Sequence, residues 1–268
     1  MNIRNKSHTL VSIIIINFNN KKFLDRSVKS VLNQSYPSKE IIIVDDNSND
    51  GSIEFLKKYK KRCKIIINKK KTLFGSYNQI NCISKAIKIA KGKLIFFLDS
   101  DDFFSSNKIL FIKKKFDNHT NCKVLFDKSI LYFNKYKQKK IDSKFKKIRL
   151  APWPKFYPQS CISIEKKYLM KIFKNLKVKR FPNIWFDFRI ALQTYIDFNN
   201  INIIDNYLTY YQQSKNQVSS KFKKFSLNWW KRRNEAHDFT NYLFRKNKLK
   251  NKKKLDEYIT KIINIIFF

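Results

Sequence analysis

The chain has 268 residues, of which 43% are hydrophobic and 16% aromatic, so it holds ample apolar surface for a core, and a wholly disordered chain is excluded. Lys and Arg number 58 against 20 Asp and Glu, a formal net charge of +38, which favours anionic partners. The lysines are spread along the whole chain among many Asn, Ile, Phe and Tyr, which points first to a bias in residue usage.

The cysteines and the apolar segments argue against further classes of protein. Cys63, Cys82, Cys122 and Cys161 are far apart without a CxxC pair, so we expect reduced thiols in the cytoplasm rather than a zinc site or disulfides. The start, MNIRNKSHTLVSIIII, imitates a signal peptide but lacks a small-residue cleavage site. No apolar run approaches the ~20 residues of a membrane-spanning helix, so we expect no integral membrane segment.

The first hundred residues alternate between strand and helix patterns. The strand patterns are apolar and β-branched, as in strands covered on both faces, and the helix patterns have apolar residues at helical spacing. The strands are predicted at 10–16, 40–44, 64–67 and 94–98, and the helices at 21–34, 53–59 and 78–90. This alternation predicts an α/β fold with a mainly parallel sheet flanked by helices.

The rest of the chain gives weaker patterns. Residues 151–160 hold three of the five prolines and predict a connecting loop or lid. Helices are predicted at 107–117, 164–174, 185–197, 223–246 and 252–266, and strands at 124–127, 129–136 and 201–205, the first two as candidates for an antiparallel pair.

Acidic residues are concentrated at two strand ends. Asp45 and Asp46 close the second strand, and Asp99, Asp101 and Asp102 close the fourth. Ligands of parallel sheets bind at this edge, and carboxylates so close together raise one another's pKa unless a cation is present. An Asp-Ser-Asp turn can offer two carboxylates to Mg2+ or Mn2+, which commonly bridges to substrate phosphates. The alternative for both clusters is a solvated turn with helix-capping aspartates.

Three segments together resemble the family 2 glycosyltransferases, which are inverting sugar transferases with the GT-A fold. They are VSIIIINFNN (11–20), SVKSVLNQSYPSKEIIIVDDNSNDGS (27–52) and AKGKLIFFLDSDD (90–102). The resemblance covers about the first 105 residues and implies a Rossmann-like GT-A sheet and a nucleotide-sugar donor, with UDP as the expected nucleotide. Family members often carry Arg-Asn before the helix that precedes the DxD strand, and in that neighbourhood this chain has Asn81 and Ser84.

The resemblance also implies roles for the strand-end residues. Asp46, with Asp45, would contact the donor's base, while Asp99 and Asp101 would form the DxD pair, with Asp102 supporting them. The donor-binding set is Ile16, Asn17, Phe18, Asp45, Asp46, Asp99 and Ser100. The metal-binding set, for Mn2+ or Mg2+, is Asp99, Asp101 and Asp102.

The second half resembles the family more loosely. FPNIWFDFRIALQ (181–193) looks like the segment that carries the catalytic base, and of the usual acidic pair only Asp187 remains, between Phe186 and a later Arg189. We predict Asp187 as the base; the alternative is a helix-start aspartate that favours the helix dipole. YYQQSKNQVSS (210–220) is similar to the loop that closes over the donor. The QxxRW signature of processive synthases is absent, which favours a single transfer per encounter.

The expected organisation is a GT-A domain at 1–220, with a nucleotide-sugar-binding half at 1–105 and an acceptor half at 106–220, followed by a basic helical extension at 221–268. The expected acceptor is a glycan or a lipid-linked molecule of the bacterial cell envelope. The cluster at 229–233 and the apolar end IINIIFF predict peripheral attachment to an anionic membrane surface on its cytoplasmic side. A packed helix with a solvated outer face is the alternative.

Three other functions compete with this interpretation. A basic nucleic-acid-binding protein would explain the charge but not the strand-end acids, which would repel phosphate, so we expect no specific nucleic acid. A nucleotidyltransferase would need a Gly-rich basic loop after the first strand, and none is present. A non-catalytic transferase-like domain is the third possibility.

Overall fold

A sheet of nine strands runs through the part of the chain that the computed structural model describes, residues 9–140, 153–176, 179–213, 222–251 and 254–268. The strands are β1 (Val11–Asn17), β2 (Lys39–Asp45), β3 (Lys64–Ile67), β4 (Leu94–Asp99), β5 (Phe103–Phe104), β6 (Val124–Asn134), β7 (Lys137–Lys140), β8 (Ile162–Glu165) and β9 (Ile203–Gln212). The helices are α1 (Lys21–Leu32), α2 (Ser52–Leu56), α3 (Gly75–Ile89), α4 (Lys108–Asn118), α5 (Lys166–Leu176), α6 (Phe186–Phe198), α7 (Leu227–Lys246) and α8 (Leu255–Phe267).

The first four long strands are parallel to one another and lie in the order β3-β2-β1-β4. The register sets Asn17 of β1 beside Asp45 of β2, and Ile16 of β1 beside Asp99 of β4. Both acidic clusters therefore lie at one edge of the sheet, on either side of the end of β1, as the sequence analysis predicts.

Alternate side chains of β1 belong to two hydrophobic cores, one on each face of the sheet. Ile14 and Ile16 belong to the core beneath α3 and α6, whereas Ile13 and Ile15 belong to the core beneath α1 and α4. All four side chains are buried, with at most 7% of their surface exposed. A strand covered on both faces has no polar alternation, which explains the uninterrupted run IIII.

The second half of the sheet differs from the sequence prediction in detail. The two strands predicted at 124–127 and 129–136 are one strand, β6, whose hairpin partner is β7. Residues 162–165, partly assigned to a helix, form β8, which pairs antiparallel with β4 and β6, and α5 begins only at Lys166. The strand predicted at 201–205 continues to Gln212 as β9, which pairs parallel with β6 and antiparallel with β5.

The C-terminal helices pack through a third core. Phe239 and Leu243 of α7 are fully buried against Phe181, Phe188 and Leu192 of the α6 region. Helix α7 is therefore part of the same packed body as α6, and α8 lies on α7. Among the described residues, none of the helices combines the length and the hydropathy that a membrane crossing requires.

Candidate active site

Asp45 links the ends of β1 and β2. Its carboxylate is fully buried and accepts hydrogen bonds from Asn17 Nδ2 at 2.6 Å, the Ser48 backbone N at 2.7 Å and the Ser48 hydroxyl at 2.9 Å. The Ser48 hydroxyl in turn accepts a hydrogen bond from the backbone N of Asn19 at 2.9 Å. Asp45 thus fixes the two loops that flank the sheet edge, and its predicted contact with the donor base stays a prediction.

Phe18 and Asp46 follow the ends of β1 and β2 at that edge. Oδ1 of Asp46 accepts a hydrogen bond from Asn68 Nδ2 at 2.6 Å, and Asn68 Oδ1 accepts one from Lys85 Nζ at 2.6 Å. Burial raises the pKa of Asp46, while Asn68 and Lys71 oppose the rise. The ring of Phe18 is 46% exposed, with Lys71 Nζ at 3.9 Å from its centroid. An exposed aromatic face beside a carboxylate suits a flat base that carries N–H donors.

Asp99 lies at the end of β4 and is held by amides from two other segments. Its Oδ1 accepts hydrogen bonds from Gln79 Nε2 of α3 at 3.0 Å and from Gln159 Nε2 at 2.8 Å. The backbone N of Asp99 donates to the Ser160 hydroxyl at 3.0 Å. Ser100, which follows, donates its backbone N to Ile16 O at 3.1 Å, so the turn is tied to the end of β1.

Asp102 differs from the other two aspartates of the turn. It is fully buried, and its two oxygens accept hydrogen bonds from the Ser160 hydroxyl at 2.6 Å and from the Gln212 backbone N at 2.8 Å. These contacts join the turn after β4 to Ser160 and to β9, and they favour the supporting role for Asp102. Its place among the metal ligands stays a prediction.

The carboxylates at the DxD turn repel one another. Burial raises the pKa of Asp99 well above its usual value, and the nearby charges of Asp101 and Asp187 raise it further. Burial also raises the pKa of Asp101, against the opposing charge of Arg26, which donates a hydrogen bond to the Asp101 carbonyl at 2.9 Å. The site therefore has a deficit of positive charge that a cation would relieve.

The side-chain oxygens at this turn suit a hard divalent cation. Asp99 and Asp101 offer carboxylate oxygens, the ligand type that Mg2+ and Mn2+ prefer. Within the described residues, no group of three or more His, Cys, Asp or Glu side chains is arranged to hold a metal ion. A cation here would need its remaining ligands from water or from the phosphates of a substrate, as is usual for Mg2+.

Asp187 faces the same turn from α6. It is the second residue of that helix, and its Oδ1 accepts a hydrogen bond from the Phe188 backbone N at 2.7 Å. Burial raises the pKa of Asp187 to about 6, while the charge of Arg232 works against the rise. The ring of Phe186, one residue before Asp187, lies 5.0 Å from the ring of Phe97 in β4, measured between centroids, so the start of α6 packs against the strand that ends at Asp99. The charge of Asp187 contributes to the raised pKa of Asp99.

Arg189, two residues after Asp187, has a structural role. Its buried guanidinium donates to the carbonyl of Ile184 at 3.1 Å and also to the carbonyls of Leu176 and Phe181. It therefore closes the end of α5 and the segment before α6.

Arg232 of α7 reaches the start of α6 from the C-terminal part of the chain. It is only 2% exposed and lies between the rings of Trp185 and Phe222, at 3.5 and 3.8 Å from their centroids. Nε donates to Asn183 O at 2.9 Å, and Nη2 to the Ser76 hydroxyl of α3 at 3.4 Å. Nη1 has no hydrogen-bond partner in the described structure, and burial lowers the pKa of Arg232 to about 9.

Several residues that support the site are not predicted from the sequence. Gln79, Gln159 and Ser160 hold the DxD turn, and Arg232 approaches Asp187. Gln159 and Ser160 are the last two residues of the proline-rich segment 151–160, and the prolines are the one signal in the sequence that marks their neighbourhood. Of the segment 210–220, residues 210–212 belong to β9, whereas 214–220 lie outside the described residues.

The architecture and the sequence together identify the family. Residues 12–173 match the family model described as Glycosyl transferase family 2. The chain belongs to this family. The GT-A type of α/β fold and the family predicted from the three sequence segments are thereby confirmed.

Individual relatives are similar over part of the chain. The glucosyltransferase WfaP of Escherichia coli, named for UDP-Glc and α-D-GlcNAc-diphosphoundecaprenol, is 44% identical over 100 residues, which are 37% of this chain and 38% of WfaP. Staphylococcus aureus TarS 1–349 in complex with UDP has a TM-score of 0.54 and 18% identity over 93% of this chain and 77% of that chain. The mannosyltransferase PcManGT of Pyrobaculum calidifontis, in complex with GDP-Man and Mn2+, has a TM-score of 0.56 and 12% identity, over 94% of this chain and 68% of that chain.

Proposed function

We propose that this family 2 glycosyltransferase is an inverting enzyme that transfers one sugar from a UDP-sugar to a hydroxyl of a glycan or lipid-linked acceptor. We place it on the cytoplasmic side of a bacterial cell membrane, where such envelope acceptors are assembled. The observation that carries the proposal is the packing of the start of α6, which holds Asp187, against β4, where the ring centroids of Phe186 and Phe97 are 5.0 Å apart. The proton acceptor Asp187 and the proposed pyrophosphate-binding turn would then line one site.

The donor would lie along the edge of the sheet. Its base would stack on the exposed ring of Phe18 and donate to Asp46, while the pyrophosphate would lie beside Asp99 and Asp101. Mn2+ or Mg2+, when bound by Asp99 and Asp101, would supply positive charge to the pyrophosphate. UDP bound to TarS and Mn2+ with GDP-Man bound to PcManGT support this arrangement.

The transfer is an in-line displacement at the anomeric carbon. The acceptor oxygen forms the new glycosidic bond, the bond to the nucleoside diphosphate breaks, and Asp187 takes the hydroxyl proton. Attack from the face opposite the leaving group inverts the configuration. With a pKa of about 6, Asp187 is mostly ionised at neutral pH and is a stronger base than an ordinary carboxylate.

The test is a screen of UDP-sugars and GDP-sugars for binding and turnover, each with Mn2+, Mg2+ or a chelator. For the wild type we expect cation-dependent binding of a UDP-sugar, measured by calorimetry. Asp187→Asn should bind the donor within about threefold of the wild type and lose about 100-fold or more in kcat, because it keeps the shape but not the proton acceptor.

Asp101→Ala separates donor binding from proton transfer. It should weaken cation-dependent donor binding, whereas Asp187→Asn should not. Near-normal turnover in Asp187→Asn would remove Asp187 as the base. Failure of every UDP- and GDP-linked compound to bind in the presence of Mn2+ or Mg2+ would overturn the proposed function.

A further inference from the structure

The helix α8 turns its polar side toward the protein. Asp256 pairs with Arg233 at 2.7 Å and contacts His237 Nε2 at 2.7 Å, both on α7. Glu257, one residue later, is 1% exposed and accepts a hydrogen bond from Asn241 Nδ2 at 2.9 Å. Both acidic residues of α8 therefore form contacts with α7.

The same orientation continues along α8. Thr260 is fully buried, and Asn264 Nδ2 donates to the Trp230 carbonyl of α7 at 3.1 Å. These two residues follow Asp256 at four-residue intervals, so they share its side of the helix. In an ordinary surface helix that side would carry the apolar residues.

The opposite side of α8 is apolar and exposed. We define the outer face of α8 as Leu255, Tyr258, Ile259, Ile262, Ile265 and Ile266. Their exposed fractions run from 42% to 82%. Their spacing of three and four residues places them on one stripe of the helix, opposite Asp256 and Thr260. Exposure of this apolar stripe to water is unfavourable in free energy, and contact with an apolar partner would remove that cost.

Aromatic and basic residues continue this surface at the start of α7. Asn264 brings the end of α8 beside Trp230, and the exposed side chains of Phe225 and Leu227 lie in the same part of the chain. Lys231 is exposed, with Nζ at 5.1 Å from the ring centroid of Phe268. Residues 222–268 contain 13 Lys or Arg and 4 Asp or Glu. Aromatic rings and cations around an apolar stripe match the interface of an anionic bilayer.

We propose that the outer face of α8 inserts into the surface of an anionic lipid bilayer. Apolar side chains would enter the boundary of the acyl chains, and the surrounding lysines would contact lipid phosphates. Charge favours lipid over a second copy of this chain, because a self-complementary contact would bring two strongly basic surfaces together. The inference extends the proposed function, since it names the surface that would bring the site to a lipid-linked acceptor.

The test is co-sedimentation with vesicles of phosphatidylcholine, alone and with phosphatidylglycerol added. The wild type should bind the mixed vesicles, and added salt should weaken the binding without abolishing it. The double variant Ile262→Asp, Ile266→Asp should lose about tenfold or more in partition coefficient, because it places two charges within the apolar stripe.

The matched control adds the same two charges elsewhere. Tyr136 and Met170 are 92% and 59% exposed and lie outside α8, so Tyr136→Asp, Met170→Asp should bind the mixed vesicles within about twofold of the wild type. Circular dichroism melts of both double variants exclude unfolding as the cause of a difference.

The outcomes separate this inference from the proposed function. Wild type that stays in the supernatant with the mixed vesicles, or equal loss in both double variants, overturns the inference. A dimer in analytical ultracentrifugation that Ile262→Asp, Ile266→Asp dissolves would assign the outer face to a subunit contact and overturn it also. If the protein binds vesicles but no nucleotide-sugar, the membrane-binding inference is supported and only the proposed sugar transfer is overturned.

Discussion

Arg232 connects the C-terminal helix α7 to the candidate base at the residue scale. Its guanidinium is enclosed by Trp185 and Phe222 and fixed by the carbonyl of Asn183, so it cannot move away from the start of α6 without breaking these contacts. A buried cation near Asp187 stabilises the ionised form of that carboxyl. Arg232 thus brings positive charge to the start of α6 from another element.

We expect Arg232→Met to move the acid limb of the pH–kcat profile to higher pH. Burial raises the pKa of Asp187 and Arg232 lowers it, so removing the cation lets the pKa rise. The fraction of ionised base at pH 6 then falls, and kcat at that pH should fall about fivefold more than kcat at pH 8. Arg245→Met, an exposed site on the same helix, is the control. A limb that stays in place or moves to lower pH contradicts the role.

The acids of the site could be predicted from sequence, but their partners could not. Asp99 and Asp187 are conspicuous because acids are rare in this chain and these lie at element ends. Gln79 and Gln159 carry no charge, and nothing in the sequence relates them to Asp99. The fold places their amide nitrogens 3.0 and 2.8 Å from Asp99 Oδ1. Contacts of this kind depend on tertiary structure alone.

At the scale of elements, α4 is fastened to the sheet by a buried ion pair. Lys108 Nζ lies 2.7 Å from Asp127 Oδ1 of β6, and both side chains are fully buried. Lys108 also donates to the Ser160 carbonyl at 2.7 Å and to the Thr209 hydroxyl at 2.6 Å, and that hydroxyl donates to Asp127 Oδ2 at 2.6 Å. The network joins α4, β6 and β9 beneath the site.

We expect Lys108→Met to lower the free energy of unfolding by about 3–5 kcal/mol, because it leaves the carboxylate of Asp127 buried without its cation. Lys108→Met combined with Asp127→Leu should recover much of the loss, since both charges are then removed. Urea unfolding measures both, with the exposed Lys114→Met as the control. Additive losses in the double variant would contradict a coupled pair.

The elements that could be predicted from sequence are those with a strong local pattern. The apolar run of β1 and the spacing in α3 specify strand and helix by themselves, although α3 begins at Gly75 rather than 78. Strand β8 has four residues and leads directly into α5, so its pattern merges with that of the helix. It is a strand because β4 and β6 supply its hydrogen bonds on both sides.

At the scale of the whole molecule, α7 and α8 contribute differently to the folded body. Helix α7 buries Phe239 and Leu243 in a core shared with α6, whereas α8 meets α7 mainly through polar contacts such as Arg233 with Asp256. The division of the chain at 220/221 stays a prediction. Within the predicted extension, α7 is integral to the packed body and α8 is attached to its surface.

Truncation should therefore have two distinct outcomes. A chain ending at Lys250 loses only α8, and we expect it to melt cooperatively within a few degrees of the full chain and not to aggregate. A chain ending at Ser226 also loses α7 and exposes the aromatic core of α6, so we expect a much lower melting temperature or aggregation. Thermal melts and size-exclusion chromatography measure both. Equal loss of stability in the two truncations would contradict the different contributions of α7 and α8 to the folded body.

The order of strands at the sheet edge sets a minimum length for any molecule that contacts both acidic clusters. Because β1 lies between β2 and β4, Asp46 after β2 and Asp99 at the end of β4 lie at strand ends two strand spacings apart, about 10 Å in all. A molecule that touches both must span that interval while crossing the end of β1. A free sugar or inorganic phosphate is too short to do so, and an inhibitor that reaches both clusters would combine an aromatic head with an anionic tail of the same span, whose charge a divalent cation would balance beside Asp99.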